Sequence, residues 1–184
     1  MMNLFIGPMF SGKSTYQLGQ ADPYLKAKTD VYFVRPTMDT RNFLARNMNN
    51  DYYFNNDNFI ITPEKDLGDL LATGTGLVVF VDEVQFISGD TLEALLKHHH
   101  KHEVCLAGLN SKAKKAGSWP EVWPNITALI PHSTITTLKA RCVECGSDAL
   151  YSVFEADLAG DVHIGDEGYS AKCLDCISKA EQAS

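Results

Sequence analysis

Up to Leu109 the chain alternates between short apolar runs and longer stretches of helical spacing. Leu4-Phe5-Ile6, Val31-Tyr32-Phe33-Val34, Phe59-Ile60-Ile61, Leu77-Val78-Val79-Phe80-Val81 and Glu103–Ala107 have the length and apolar content of buried strands. Between them, Lys13 to about Lys26, Glu64–Leu71 and Asp90–His100 read as helices, the second opening on Thr62-Pro63, a favourable helix start. Strands that alternate with helices predict an α/β fold with a mostly parallel sheet covered on both faces. The run Lys97-His98-His99-His100-Lys101-His102 reads as the solvated end of the third helix rather than a metal site. Arg41–Asp57 is rich in Asn and Asp and has no period, so a mobile loop is expected there.

From about Thr136 the pattern changes to short β-like pieces, with turns marked by Gly146, Gly160, Gly165 and Gly168. Two units follow: a sheet domain over residues 1–135 and a smaller one over 136–184. There is no internal repeat. The net charge of −7 and a pI near 5.3 speak against a general electrostatic grip on nucleic acid. No apolar run approaches the roughly 20 residues that span a bilayer, so no membrane partner is expected. Met1 leads straight into the first apolar run without a basic leader, and the expected location is cytoplasmic.

The first candidate chemistry lies directly behind Leu4-Phe5-Ile6. Gly7-Pro8-Met9-Phe10-Ser11-Gly12-Lys13-Ser14 fits G-x-x-x-x-G-K-[ST], with a strand before it and a helix after it. Its glycines let successive backbone N–H groups converge on a polyphosphate, and the following helix aims its positive dipole end at the same place. Lys13 reaches the β and γ phosphates in such a loop, and the Ser14 hydroxyl takes a Mg²⁺ position. The expected ligand is a nucleoside triphosphate. The strand Leu77–Val81 delivers Asp82 and Glu83 to the carboxyl edge of the sheet, where ligands of open α/β folds bind. Asp82 there helps to hold Mg²⁺; Glu83 can point to a second substrate, accepting the proton of an attacking hydroxyl or orienting a water. The same pair occurs in many ATPases, so a zinc-ribbon ATPase acting on nucleic acid stands as the alternative at this point.

Five cysteines divide into two groups. Cys142-x-x-Cys145 and Cys173-x-x-Cys176 are two pairs separated by 27 residues, and read as a four-thiolate structural Zn²⁺ site; a redox pair or unliganded thiols are the other readings. Cys105, inside Val104-Cys105-Leu106-Ala107, reads as a small buried apolar residue.

Taken in order, these segments resemble the type II thymidine kinases. Gly7-Pro8-Met9-Phe10-Ser11-Gly12-Lys13-Ser14-Thr15 is similar to the family's phosphate loop, and Arg35-Pro36-Thr37-Met38-Asp39-Thr40-Arg41 to its K-P-x-x-D-T-R segment. Val81-Asp82-Glu83-Val84-Gln85-Phe86 resembles its D-E-x-Q-F motif, and Ala107-Gly108-Leu109 its Y-G-L. The cysteine pairs fall where the family has its zinc ribbon. Between them Ile164-Gly165-Asp166-Glu167-x-Tyr169-x-x-x-Cys173 looks like the substrate-covering lasso.

The resemblance implies a P-loop sheet domain followed by a zinc-ribbon and lasso domain. It implies an enzyme of deoxynucleoside salvage that transfers the γ-phosphoryl group of ATP to the 5′-hydroxyl of thymidine or a related deoxynucleoside. By position, Glu83 becomes the base, with Lys13 and Arg41 stabilising charge. Gly7 to Thr15, Asp39, Asp82 and Gln85 fall on the ATP and Mg²⁺ side, with Asp39 positioning Arg41 or its loop. Met9, Phe86, Ile164, Gly165 and Tyr169 fall on the nucleoside side. Family members are commonly homotetramers. One departure bears on the base: no Phe follows Gly108-Leu109 where many members carry one. Trp119 either replaces that aromatic or, with Trp123, packs the helix–sheet junction. A deoxynucleoside kinase with altered base preference is the corresponding alternative.

Overall fold

The computed structural model describes residues 1–46, 48–113, 120–154 and 168–182. β1 (Met2–Gly7) and α1 (Lys13–Lys26) flank the glycine-rich loop; β2 (Val31–Arg35), α2 (Asn50–Phe54), β3 (Phe59–Pro63) and α3 (Glu64–Thr73) follow. Next come β4 (Val78–Val81), α4 (Gly89–His98), β5 (Glu103–Leu109), α5 (Pro124–Leu129) and β6 (Ser133–Thr137). The remainder comprises β7 (Ala140–Arg141), β8 (Asp148–Ala149), β9 (Tyr151–Phe154), β10 (Tyr169–Lys172) and α6 (Leu174–Gln182).

β1 to β6 form one sheet in the order β3-β2-β4-β5-β1-β6, with every pairing parallel. The expected α/β class is what the chain adopts. Because side chains alternate across a strand, β4 feeds two cores at once. Val79 and Val81 pack with Leu67, Leu71, Leu95 and Leu129 under α3, α4 and α5. Val78 and Phe80 pack with Leu18, Leu25, Phe33 and Cys105 under α1. Each fully buried side chain of this kind contributes about 1.5–3 kcal/mol, enough to fix the register wherever both faces are covered. Cys105 is part of that core, as expected, and burial pushes its thiol up to about 11.

Three details differ from the sequence pattern. The change of pattern near residue 135 falls inside β6, which pairs with β1 from Met2↔Ser133 to Ile6↔Thr137, so the sheet continues past that boundary. The stretch expected to be a mobile loop contains α2, and it buries Leu44, Ala45 and Tyr53. The Asn50 side chain accepts from the Leu44 and Ala45 amides at 2.8 and 3.0 Å, and the Tyr53 hydroxyl donates to Asp22 on α1 at 2.9 Å. His102 is not solvated either: its Nδ1 accepts from the Leu77 amide and its Nε2 donates to the Leu71 carbonyl at 2.9 Å, joining the ends of α3 and β4.

The second unit is small. β7 pairs with β8 and β9 with β10, both antiparallel, and the lobe closes around Ala140, Cys142, Ala149, Ala171 and Cys176. Among the described residues no helix is long and apolar enough to cross a membrane.

Candidate active site

The glycine-rich loop needs its glycines for space and for backbone angle. A Cβ on Gly7 would lie 2.4 Å from the Leu138 carbonyl oxygen, and Gly12 sits at φ +78°. Lys13 opens α1 and is buried; its Nζ donates to the Pro8 carbonyl at 2.8 Å across the loop. Burial, helped by Arg41, holds the amine below the usual lysine range against the pull of Glu83 and Asp82. Ser14 donates to Asp82 Oδ2 at 2.9 Å. That contact spans from β1 to β4 although β5 lies between them, because α1 packs over β5. Gln17 fixes the helix there, its amide donating to the carbonyls of Val81 and Cys105 at 2.9 and 3.0 Å.

Asp82 is 1% exposed, and burial together with Glu83 pushes its carboxyl up to about 6. Its Oδ1 accepts from the Glu83 amide at 2.9 Å. Glu83 follows with φ +49°, ψ +41°, a left-handed conformation that costs a non-glycine residue about 1–3 kcal/mol. Glu83 lines the same cavity as Met9, Phe10, Gly12, Lys13 and Ser14 of the loop. A 3₁₀ turn at Val84–Phe86 follows, held by Asn125 of α5, whose amide donates to the carbonyls of Val84, Gln85 and Ile87.

Arg41 joins the two sides. Its Nε donates to Asp39 Oδ1 at 2.8 Å and its Nη2 to Asp39 Oδ2, a forked pair. The same Nη2 lies 3.1 Å from Glu83 Oε1 and 3.7 Å from Asp82 Oδ2. Burial opposes its charge, but the Asp39 bond and the fields of Glu83 and Asp82 outweigh it and raise the guanidinium's pKa further. Asp39 shows the mirror balance: burial would raise its carboxyl, and Arg41 holds it below the ordinary range.

A cavity of about 230 Å³ brings most of these groups together, lined by Met9, Phe10, Gly12, Lys13, Ser14, Thr15, Arg41 and Glu83 from the sequence-derived set. Phe43, Leu44, Ala45 and Arg46 complete the wall. The sequence reading missed them because they stand in the stretch taken for a mobile loop. Phe43 lies between two guanidiniums, 5.8 Å from that of Arg41 and 5.7 Å from that of Arg46. A second arginine five residues after Arg41 was the available signal.

Other sequence-derived residues stand outside this wall. Gln85, grouped from sequence with ATP and Mg²⁺, has both ends of its amide occupied within the fold: Nε2 donates to Glu83 Oε2 at 2.7 Å and Oε1 accepts from the Leu109 amide at 3.0 Å. Phe86 meets Trp123 edge to face at 5.1 Å, and Tyr169 meets Phe154 at 4.8 Å on the β9–β10 pair. Trp119, Ile164 and Gly165 lie outside the described residues. The small lobe reaches the phosphate loop through Ser152, whose Oγ accepts from the Met9 amide at 2.9 Å. Nothing in the local sequence singles out Ser152.

Cys142, Cys145, Cys173 and Cys176 have their sulfurs within 4.8 Å of one another, and the Cys145 and Cys173 sulfurs are 3.6 Å apart. Tetrahedral coordination at a Zn–S distance near 2.3 Å requires S···S of about 3.8 Å, so the four thiols fit one Zn²⁺, whereas a disulfide needs about 2.05 Å. The backbone N–H groups of Cys173, Cys145 and Glu144 pull the Cys142 thiol down, while the neighbouring thiols Cys145 and Cys173 push that of Cys176 up. Metal analysis of the purified protein is expected to return one Zn²⁺ per chain, with thiols becoming reactive only after chelation. Freshly purified protein without zinc would contradict the assignment.

An all-parallel sheet with a glycine-rich loop of the phosphate-binding pattern after β1, a carboxylate after β4 facing the loop's serine, and a four-thiol lobe define a P-loop α/β protein with an appendage whose four clustered cysteines fit a metal ion. The family model for thymidine kinase matches residues 1–177, and the chain belongs to that family. The thymidine kinase of Amsacta moorei entomopoxvirus is 25% identical over 185 residues, covering 97% of this chain and 98% of its own length. That of Pyrobaculum aerophilum is 30% identical over 152 residues, covering 81% and 79%. That of Mycoplasma genitalium is 29% identical over 175 residues, covering 91% and 78%.

Proposed function

We propose that the protein transfers the γ-phosphoryl group of ATP to the 5′-hydroxyl of thymidine or a closely related deoxynucleoside. The observation that carries this reading is the shared cavity: Lys13 and Ser14 of a phosphate loop, the cation Arg41 and the carboxylate Glu83 all open onto it. A carboxylate opposite the loop can take a proton from a hydroxyl or orient a water, and the thymidine kinase family match favours the hydroxyl of a second substrate.

In this reading the loop amides and Lys13 bind the β and γ phosphates. Ser14 and Asp82 are the residues that would hold Mg²⁺, which supplies charge neutralisation when bound. Glu83 receives the 5′-hydroxyl proton as the oxygen forms its bond to phosphorus and the bond to the β-phosphate oxygen breaks, leaving ADP and the nucleoside monophosphate. Arg41 turns from Glu83 toward the phosphoryl oxygens, and Asp39 keeps the guanidinium planar to them. Gln85 orients Glu83, while Met9, Phe86 and the Tyr169 region face the nucleoside. The four thiolates hold Zn²⁺ structurally and fix both ends of the segment between them. A cytoplasmic homotetramer belongs to the same reading, supported by family resemblance.

The test is product analysis. Protein with ATP·Mg²⁺ and each of the four common deoxynucleosides or deoxyuridine is expected to form one ADP per monophosphate, fastest with thymidine. Faster turnover of another nucleoside would reassign the acceptor, and ATP hydrolysis without any monophosphate would overturn the reading.

A further inference from the structure

Glu64 is a buried carboxylate with no part in the chemistry described so far. It is the first residue of α3 and only 8% exposed. Its Oε2 accepts from the Thr37 amide at 3.0 Å and from the Thr37 hydroxyl at 3.5 Å, and its Oε1 accepts from the Ser88 amide at 2.6 Å. Thr37 stands in the turn that leaves β2, two residues before Asp39 and four before Arg41. Ser88 is the N-cap of α4 and ends the segment that Glu83 begins. Glu64 itself follows β3. Because β3, β2 and β4 are neighbours in the sheet, one carboxylate ties together three successive loops on its carboxyl edge.

The charge fits that task. Burial alone would raise the Glu64 carboxyl, but the bonds from the Ser88 and Thr37 amides hold it below the ordinary glutamate range. Its place in the first turn of α3 adds the helix dipole in the same sense. An ionised carboxylate therefore accepts from both loops at neutral pH.

Resting on the phosphoryl-transfer reading above, we propose that Glu64 is a positioning residue that sets the Arg41 turn against the Glu83 segment. Arg41 takes its orientation from Asp39 within its own turn, so its distance to the reacting phosphoryl depends on where that turn is anchored. Its contacts with Glu83 and Asp82 cannot be the anchor during turnover, because phosphate competes for the same guanidinium. Two anchors are independent of substrate: Arg35 of β2, whose guanidinium donates to the Arg41 and Phe43 carbonyls, and Glu64, which links the turn to the Ser88 end of the Glu83 segment. Misplacement of a catalytic group by about 1 Å costs roughly 10²-fold in rate.

Glu64→Gln is the informative variant. The amide keeps the volume but offers a single acceptor oxygen, so one of the two loops meets an NH₂ group instead of an acceptor. The expected result is a kcat lower by about 10- to 100-fold, with the KM for ATP within about threefold of wild type because the phosphate loop is untouched. Introduced into Arg41→Lys, the same substitution is expected to cost less than about threefold more, since both changes act on one group. An unchanged kcat in Glu64→Gln, or an undiminished loss in the double variant, would overturn the proposal. Amide hydrogen exchange at Thr37 and Ser88, expected to be slow in wild type and faster in Glu64→Gln, reads the tie without any activity. If wild type phosphorylates no nucleoside, the phosphoryl-transfer reading is the one lost. The tie then stands or falls on whether exchange at those two amides changes.

Discussion

Arg41→Ala is expected to lower kcat for nucleoside phosphorylation by about 10³- to 10⁵-fold, the range found for an arginine that neutralises a transferring phosphoryl group. The reason lies in the charge arrangement. The cavity is lined by the carboxylate Glu83 and by Lys13, Arg41 and Arg46, while the buried Asp82 lies 3.7 Å from the Arg41 guanidinium. Lys13 serves the β and γ phosphates from within the loop, where its amine bonds the Pro8 carbonyl. Arg41 is the cation whose partners can be exchanged: one Nη2 serves Asp39, Glu83 and Asp82 at once. Removing it takes away the cation that is paired with Glu83 and leaves that carboxylate uncompensated beside the developing phosphoryl charge. Arg41→Lys is not expected to restore the rate, because a point charge cannot keep the forked bond to Asp39 while presenting a further N–H to phosphate. Steady-state kinetics with a thermal melt of each variant decides the matter. A folded Arg41→Ala protein within about tenfold of wild-type kcat would remove Arg41 from the chemistry.

The parts of the fold that were legible in the sequence are those with a period. The buried parallel strands show as continuous apolar runs because both faces are covered, and α1 and α3 show their starts through Lys13 and Pro63, whereas α4 opens at Gly89, one residue before the Asp90 expected. β6 was blurred for the opposite reason. Ser133-Thr134-Ile135-Thr136-Thr137 is an edge strand with one side open, so its polar content does not announce a sheet. The stretch after Arg41 owes its order to the Asn50 side chain and to Tyr53 reaching α1, contacts that carry no period. His102 looked like one more histidine in a polar run because its partners, Leu71 in α3 and Leu77 just before β4, are distant in sequence.

Candidate site residues divide along the same line. Lys13, Ser14, Asp82 and Glu83 announce themselves through motif spacing and strand position. Glu64, Asn125 and Ser152 act on backbone groups 24 to 143 residues away, and no pattern in their own neighbourhood records it. Glu83 itself carries a signal absent from the sequence: its positive φ puts a non-glycine residue in a strained turn at the cavity wall.

That strain gives the Glu83→Gln experiment its value. Glutamine keeps the size and an acceptor oxygen for Arg41 but cannot take a proton. The bond from the Glu83 amide to Asp82 and the turn into Val84–Phe86 are made by backbone and survive the change; of its side-chain bonds, that from Gln85 to Oε2 at 2.7 Å is lost when the single acceptor oxygen faces Arg41. The variant is therefore expected to fold and to bind a non-hydrolysable ATP analogue within about twofold of wild type, while kcat falls by about 10²- to 10⁴-fold. The size of the loss discriminates between two roles. In a loose transition state the attacking oxygen forms little bond before the leaving group departs, so a hydroxyl can shed its proton late, to a phosphoryl oxygen. A carboxylate that only aligns the hydroxyl would then be replaced by the amide at a cost below about tenfold. A carboxylate that receives the proton in the transition state would not. A loss above about 10²-fold with nucleotide affinity intact assigns Glu83 as the base; near-normal turnover assigns it to alignment and moves the proton onto the phosphate.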